Sequence, residues 1–183
     1  MIQRLGELWD AAPAAFWLLL AACAYFAVVA VRLTVIDIRQ HLLPNRIVFP
    51  SYGVAGALLL AAVLALAVVD PSGVPDGAAR LFGVPALRIV AGGAVLWLFY
   101  FVLRAVYPPG MGFGDVKLAG VLGLYLGYLG WTHVFAGTFA AFLLGGLWSI
   151  GVLALRRGSL KSAIPFGPFM LAGAAAAMLL LPA

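Results

Sequence analysis

Six long apolar stretches, separated by short polar or glycine- and proline-bearing segments, run through the chain at residues 15–36, 47–69, 86–106, 116–129, 132–155 and 164–181. Most are near the ~20 residues that a helix needs to cross a bilayer. The pattern therefore predicts an all-α membrane protein with six transmembrane helices in a single domain, residues 1–183. The fourth and fifth stretches cannot form one helix, because roughly 40 residues at 1.5 Å each would be about twice the hydrocarbon thickness. Leu129-Gly130-Trp131-Thr132-His133 is the natural turn between them, with Tyr128 and Trp131 suited to the membrane interface.

Charge orients these spans. Arg32, Arg39, Arg46, Arg104, Lys117, Arg156, Arg157 and Lys161 collect at one set of span ends. The other set carries Arg4, Arg80 and Arg88 together with Glu7, Asp10, Asp70 and Asp76. The first side is expected to be cytoplasmic, which puts both termini outside. The N-terminal Leu20-Ala21-Ala22-Cys23 fits a lipoprotein-type cleavage box, but Glu7 and Asp10 precede it and the apolar run continues past it. The segment therefore reads as a membrane anchor.

Composition agrees with a lipid solvent. Hydrophobic residues make up 66% of the chain and charged residues 9%, with a mean hydropathy of +1.14. Ordinary soluble domains are roughly a quarter charged. The single Cys23 excludes a disulfide framework, and with His41 and His133 on opposite sides no metal constellation is visible. The net charge of +5 is a topology signal, and no soluble basic face offers a surface to nucleic acid.

Two of the six acidic residues carry the candidate chemistry. Asp37 ends the first span and Asp115 starts the fourth. Two spans lie between them, so both carboxylates return to the same, cytoplasmic face. A carboxylate at a membrane boundary is costly and marks a functional site by default. Taken alone, Asp37 could snorkel to water or pair with Arg39. Asp115, after Gly112-Phe113-Gly114, could be a helix cap or a first-turn acid favoured by the helix dipole. The following Leu43-Pro44-Asn45 makes a tight hairpin that fixes the depth of Asp37, with Asn45 as the expected cap of the second span. Gly120, Gly123, Gly127 and Gly130 recur at spacings of three and four, a small-residue face for close helix packing. Lys117 could anchor the span end, tune the acids or touch substrate. Pro165-Phe166-Gly167-Pro168-Phe169 opens the last span, either as a helix start or as a wall of the site.

The combination is more specific than its parts. An aspartate before an (I/L)PN turn, GxGDxK two spans later and P-F-G-P-F before the last span resemble the type IV prepilin peptidase family of GxGD membrane aspartyl proteases. The resemblance covers the chain from the first span to the last. It implies that Asp37 and Asp115 are the catalytic pair, supported by motif residues Pro44, Asn45, Gly112, Gly114, Lys117, Pro165, Gly167 and Pro168. It further implies a six-span fold in the plasma (inner) membrane. The activity implied is cleavage of a type III leader after a glycine at the cytoplasmic face, in pilins, pseudopilins or related secretion subunits. The paired CxxC segment of the long form has no counterpart here. The chain therefore looks like the short, peptidase-only form, without N-methyltransferase activity and without a metal or cofactor.

Two carboxylates in one site cannot both ionise cheaply, so the pair is expected to share a proton, one member activating water and the other donating to the scissile carbonyl. The expected substrate has a basic leader and an apolar helix in the bilayer. A transporter or channel would instead place its acids near the midplane on a polar path. A catalytically silent assembly subunit, or a GxGD protease with another substrate, would share the fold.

Overall fold

The computed structural model describes residues 1–69, 85–154 and 165–182, apart from the side chains of residues 2–4 and 109. Seven α-helices follow one another among the described residues: α1 Ile2–Ala11, α2 Pro13–Gln40, α3 Asn45–Val69, α4 Pro85–Val106, α5 Phe113–Leu129, α6 Trp131–Ala154 and α7 Gly167–Leu180. The chain is an all-α membrane protein. α2, α3, α4 and α6 are each long and apolar enough to span a bilayer. α5 and α7 are shorter, at 17 and 14 residues. They correspond to the fourth and sixth expected spans. Residues 155 and 164, expected at span ends, lie outside the described residues, as do Asp70, Asp76, Arg80, Arg156, Arg157 and Lys161.

Helix boundaries follow local chemistry. Pro13 begins α2, where a missing N–H costs nothing. The helix runs past residue 36 to Gln40, so Asp37 sits inside its last turn instead of just beyond it. His41 then stops the helix in the left-handed conformation, φ 50°, with its N–H on the Asp37 carbonyl at 2.8 Å. Asn45 is the first residue of α3, not its cap. The Pro44 carbonyl takes the first helical N–H groups, from Ile47 and Val48, which frees the Asn45 side chain for another partner. α5 starts at Phe113, three residues before the expected limit, because Gly112 and Asp115 stabilise its first turn together. Gly130 is not part of the glycine face: at φ 139° it ends α5 and lets Trp131 start α6. The unassigned N-terminal segment forms α1, with Met1 and Leu8 buried and Trp9 packed edge-on against Phe16 at 4.9 Å.

α5 is the centre of the bundle. Apart from Lys117, every residue from Asp115 to Leu129 is buried. The expected small-residue face is present and is met by a second one. Gly92 and Gly93 of α4 lie against Gly120, Gly123 and Gly127 of α5. A Cβ at Gly92 would come within 2.5 Å of the Gly123 carbonyl oxygen, and one at Gly123 within 2.7 Å of the Gly93 Cα. The two backbones are in direct contact, a packing mode that lipid-embedded helices depend on because lipid tails are as apolar as leucine. Arg88 closes the far end of this seam, donating from Nε to the Gly127 carbonyl and from a terminal nitrogen to the Tyr128 carbonyl, both at 2.8 Å. These are the C-terminal carbonyls of α5, which no helical N–H satisfies.

Candidate active site

At the opposite end of the bundle the last turn of α2, the first turn of α5 and the first turn of α7 converge. Asp37 and Asp115 are the buried carboxylates among the described residues, 5% and 8% exposed. Each is held by a backbone N–H from a glycine of a motif segment. Gly167, at the start of α7, donates to Asp37 Oδ2 at 3.1 Å. Gly112, just before α5, donates to Asp115 Oδ2 at 3.1 Å, while the Asp115 N–H returns a bond to the Gly112 carbonyl at 3.2 Å. The helix-start reading of Asp115 is therefore realised, but it leaves Oδ1 available. Both carboxylates lie at this one end of the bundle, and Arg104 is bonded to the Met111 carbonyl of the segment that leads into Asp115. A buried carboxylate pair held by two N–H groups and one nearby cation can keep one proton between its members at far lower cost than two full charges.

The motif residues assemble around this pair. Leu43 of the hairpin lies against Gly114 in the first turn of α5 and Gly167 at the start of α7. A Cβ on Gly114 would lie 2.8 Å from Leu43 Cβ, and one on Gly167 would lie 2.7 Å from Asp37 Oδ2 and 3.5 Å from Leu43 Cδ1. Both positions require glycine for close approach. Pro44 turns the chain into α3, and Pro168 sits in the first turn of α7, where its ring is tolerated. Pro165 is half-buried just before that turn.

The Lys117 side chain bridges two of these elements. Its Nζ donates to Asn45 Oδ1 at 2.9 Å and lies over the rings of Phe49 and Phe113, 5.1 and 4.9 Å from their centroids. It therefore fastens the hairpin that follows Asp37 to the helix that carries Asp115. Tyr52 adds a second tie, donating to the Lys117 carbonyl at 2.6 Å.

Three neighbours were not singled out as site residues from sequence. Arg104 donates to the Met111 carbonyl at 2.8 Å and lies 5.2 Å over the Phe113 ring, so it braces the glycine loop. Its place in the last turn of α4, next to the Pro108-Pro109-Gly110 turn, is the signal that could have found it. Tyr100 is fully buried, with its ring stacked on Phe142 at 5.7 Å and 6.3 Å from Phe166. Leu43 was visible only as part of the turn. By contrast, His133 is buried at the other end of the bundle, away from both carboxylates.

A family model described as the type IV leader peptidase family matches residues 14–150. A protein of Aeromonas salmonicida named prepilin leader peptidase/N-methyltransferase is 31% identical over 143 residues, covering 78% of this chain and 43% of that protein. Leader peptidase HopD of Escherichia coli is 33% identical over 150 residues, 80% of this chain and 84% of HopD. A prepilin leader peptidase/N-methyltransferase of Pseudomonas putida is 32% identical over 143 residues, 75% of this chain and 42% of that protein. The chain thus spans less than half the length of these Aeromonas and Pseudomonas relatives. No solved structure matches it significantly.

Proposed function

The chain belongs to the type IV leader peptidase family, and on that premise we propose that it is an aspartic endopeptidase of the plasma (inner) membrane. Its substrates are prepilins or pilin-like secretion subunits, from which it removes the type III leader. The observation that carries this reading is the carboxylate pair: both buried at one end of the bundle, and each anchored by a glycine N–H.

Asp37 and Asp115 are the proposed catalytic residues. The ionised member takes a proton from a bound water, whose oxygen attacks the scissile carbonyl carbon. The protonated member gives its proton to the carbonyl oxygen. Collapse of the tetrahedral intermediate breaks the C–N bond, with the proton taken from water passing to the leaving nitrogen. This chemistry calls for no metal or covalent intermediate. Gly112 and Gly167 hold the carboxylates, Gly114 lets the first turn of α5 approach the hairpin that follows Asp37, and Lys117 with Asn45 ties the two together. Pro44, Pro165 and Pro168 set the turns.

The site end is proposed to face the cytoplasm. Arg39, Arg46, Arg104 and Lys117 lie at the same helix ends as the aspartates, and the positive-inside rule supports that orientation. Both termini then lie outside. The whole chain acts as one membrane domain of six spans, with α5 and α7 as its short members.

The test is cleavage of a prepilin-type polypeptide in liposomes, read by mass spectrometry, with wild type beside Asp37→Asn and Asp115→Asn. One cut after the leader glycine, lost in both variants, is expected, with a product mass that carries no added methyl group. Failure of well-folded wild type to cut any of several leaders would move the assignment to a silent assembly subunit.

A further inference from the structure

We infer that Arg104 is a positioning residue for the reaction, acting on Asp115 through the one peptide group that joins Met111 to Gly112. This rests on the peptidase reading above and adds a side chain that the proposed chemistry does not use. Arg104, in the last turn of α4, donates from a terminal guanidinium nitrogen to the Met111 carbonyl at 2.8 Å. The N–H of the same peptide, on Gly112, donates to Asp115 Oδ2 at 3.1 Å. The peptide is trans, so its carbonyl and its N–H point in opposite directions. A cation therefore grips one side of the peptide while the carboxyl group takes the hydrogen on the other.

Two physical effects follow. A hydrogen bond from a guanidinium is roughly twice as strong as a neutral one, so the plane of this peptide is fixed. Hydrogen bonds in series also polarise one another, which makes the Gly112 N–H a stronger donor than an ordinary amide. Without Arg104 the peptide is free to turn, and Asp115 Oδ2 loses the donor that fixes it. Misplacing a reacting group by even 1 Å costs about 10²-fold in rate.

The surroundings reserve this task for Arg104. Its guanidinium lies 5.2 Å from the centroid of the Phe113 ring, which orients it beside the loop. Lys117 lies 4.9 Å from the same centroid, but its ammonium is committed to Asn45 Oδ1 at 2.9 Å. The arrangement at Asp37 is different. The peptide that holds Asp37 joins Phe166 to Gly167, and its carbonyl accepts from the backbone N–H groups of Phe169 and Met170 at 3.1 and 3.2 Å. Both are neutral donors supplied by α7 itself. The two carboxyl groups are thus held by the same kind of bond, but only the peptide at Asp115 is gripped by a side-chain cation from another helix.

Steady-state cleavage of a prepilin-type polypeptide in liposomes tests the inference, with Arg104→Lys, Arg104→Gln and Arg104→Met beside wild type. Arg104→Met is expected to lower kcat roughly tenfold, the scale of one hydrogen bond involving a charged group. KM should stay unchanged, because Arg104 reaches Asp115 through backbone and not through substrate. Arg104→Lys should restore most of the rate and Arg104→Gln less of it. Dilute guanidinium chloride should raise cleavage by Arg104→Ala and leave Asp115→Asn inactive. Wild-type kcat in Arg104→Met or Arg104→Gln overturns the inference. A raised KM at unchanged kcat also overturns it, by placing Arg104 on the substrate. Equal loss in all three variants, matched by lower thermal unfolding, overturns it by leaving a purely fold-stabilising role. Arg104→Gln keeps the test decisive should Arg104→Met fail to fold. Cleavage that is indifferent to residue 104 defeats only this inference, whereas absence of cleavage by wild type defeats the peptidase reading and the role of Arg104 with it.

Discussion

α3 and α5 are both apolar stretches, yet they stand in opposite relations to the bilayer. α3 fully buries only one stripe, Val48, Ser51, Ala55, Leu59 and Ala62, and leaves the rest of its circumference partly or fully exposed. α5 is buried around almost its whole surface. Glycines mark the difference. A Cβ at Gly53 or Gly56 of α3 would meet nothing within 4 Å, whereas one at Gly120, Gly123 or Gly127 of α5 would run into a neighbouring helix. In a lipid solvent, polarity does not distinguish core from surface; the closeness of approach does. The most tightly packed helix carries the carboxylate whose position must be fixed, and the loosely packed helices meet the lipid.

The sharpest way to test this contrast is at the end of α5. Asp115→Asn should lower cleavage by about 10²–10⁴, the range of a lost acid–base group, while thermal unfolding in detergent stays unchanged; Asp37→Asn should do the same. Near wild-type cleavage by either variant would remove the dyad. Next comes the glycine comparison itself. Gly123→Ala should destabilise the fold by about 1–3 kcal/mol through overpacking against α4. Gly56→Ala should be neutral or stabilising by about 0.5–1 kcal/mol, because it fills open space on a helix. Equal unfolding shifts for the two would show that the seam tolerates a Cβ and that the contrast is wrong.

Gly167→Ala probes the site without replacing either acid. Its Cβ would stand 2.7 Å from Asp37 Oδ2, so cleavage should fall about tenfold, a barrier change of about 1.4 kcal/mol, with little change in unfolding. Unaltered turnover would mean that Asp37 keeps its position without that close contact. The smallest effect belongs to Lys117→Met, which removes the bond to Asn45 at the partly exposed edge of the site. A loss of about 0.5 kcal/mol in stability is expected, and a much larger loss of activity than of stability would give Lys117 a direct part in the chemistry.

Much of the site was legible before the fold was known. Asp37 and Asp115 stood out because acids are scarce in this chain and costly in lipid, and parity brought them to one face without any knowledge of packing. The glycine spacing of α5 announced a close contact but not its partner, since Gly92-Gly93 has no helical repeat of its own. Asn45 was misassigned as a cap because its type favours caps, yet Lys117, remote in sequence, competes for its side chain. Arg104 and Tyr100 were passed over because an arginine and a tyrosine at a span end have ordinary interfacial explanations.

What the sequence determined by itself is therefore what depends on solvent and local order: a helical membrane chain, the limits of most helices, and two carboxylates on one side. Those follow from transfer free energies and chain parity, which need no neighbours. The tertiary structure decided which glycine N–H holds each carboxylate, that Lys117 ties α5 to the hairpin after Asp37, and that Gly92-Gly93 of α4 meet the glycine face of α5. These depend on pairings between residues as far apart as Asp37 and Gly167, and in a uniformly apolar chain only packing geometry selects such pairs.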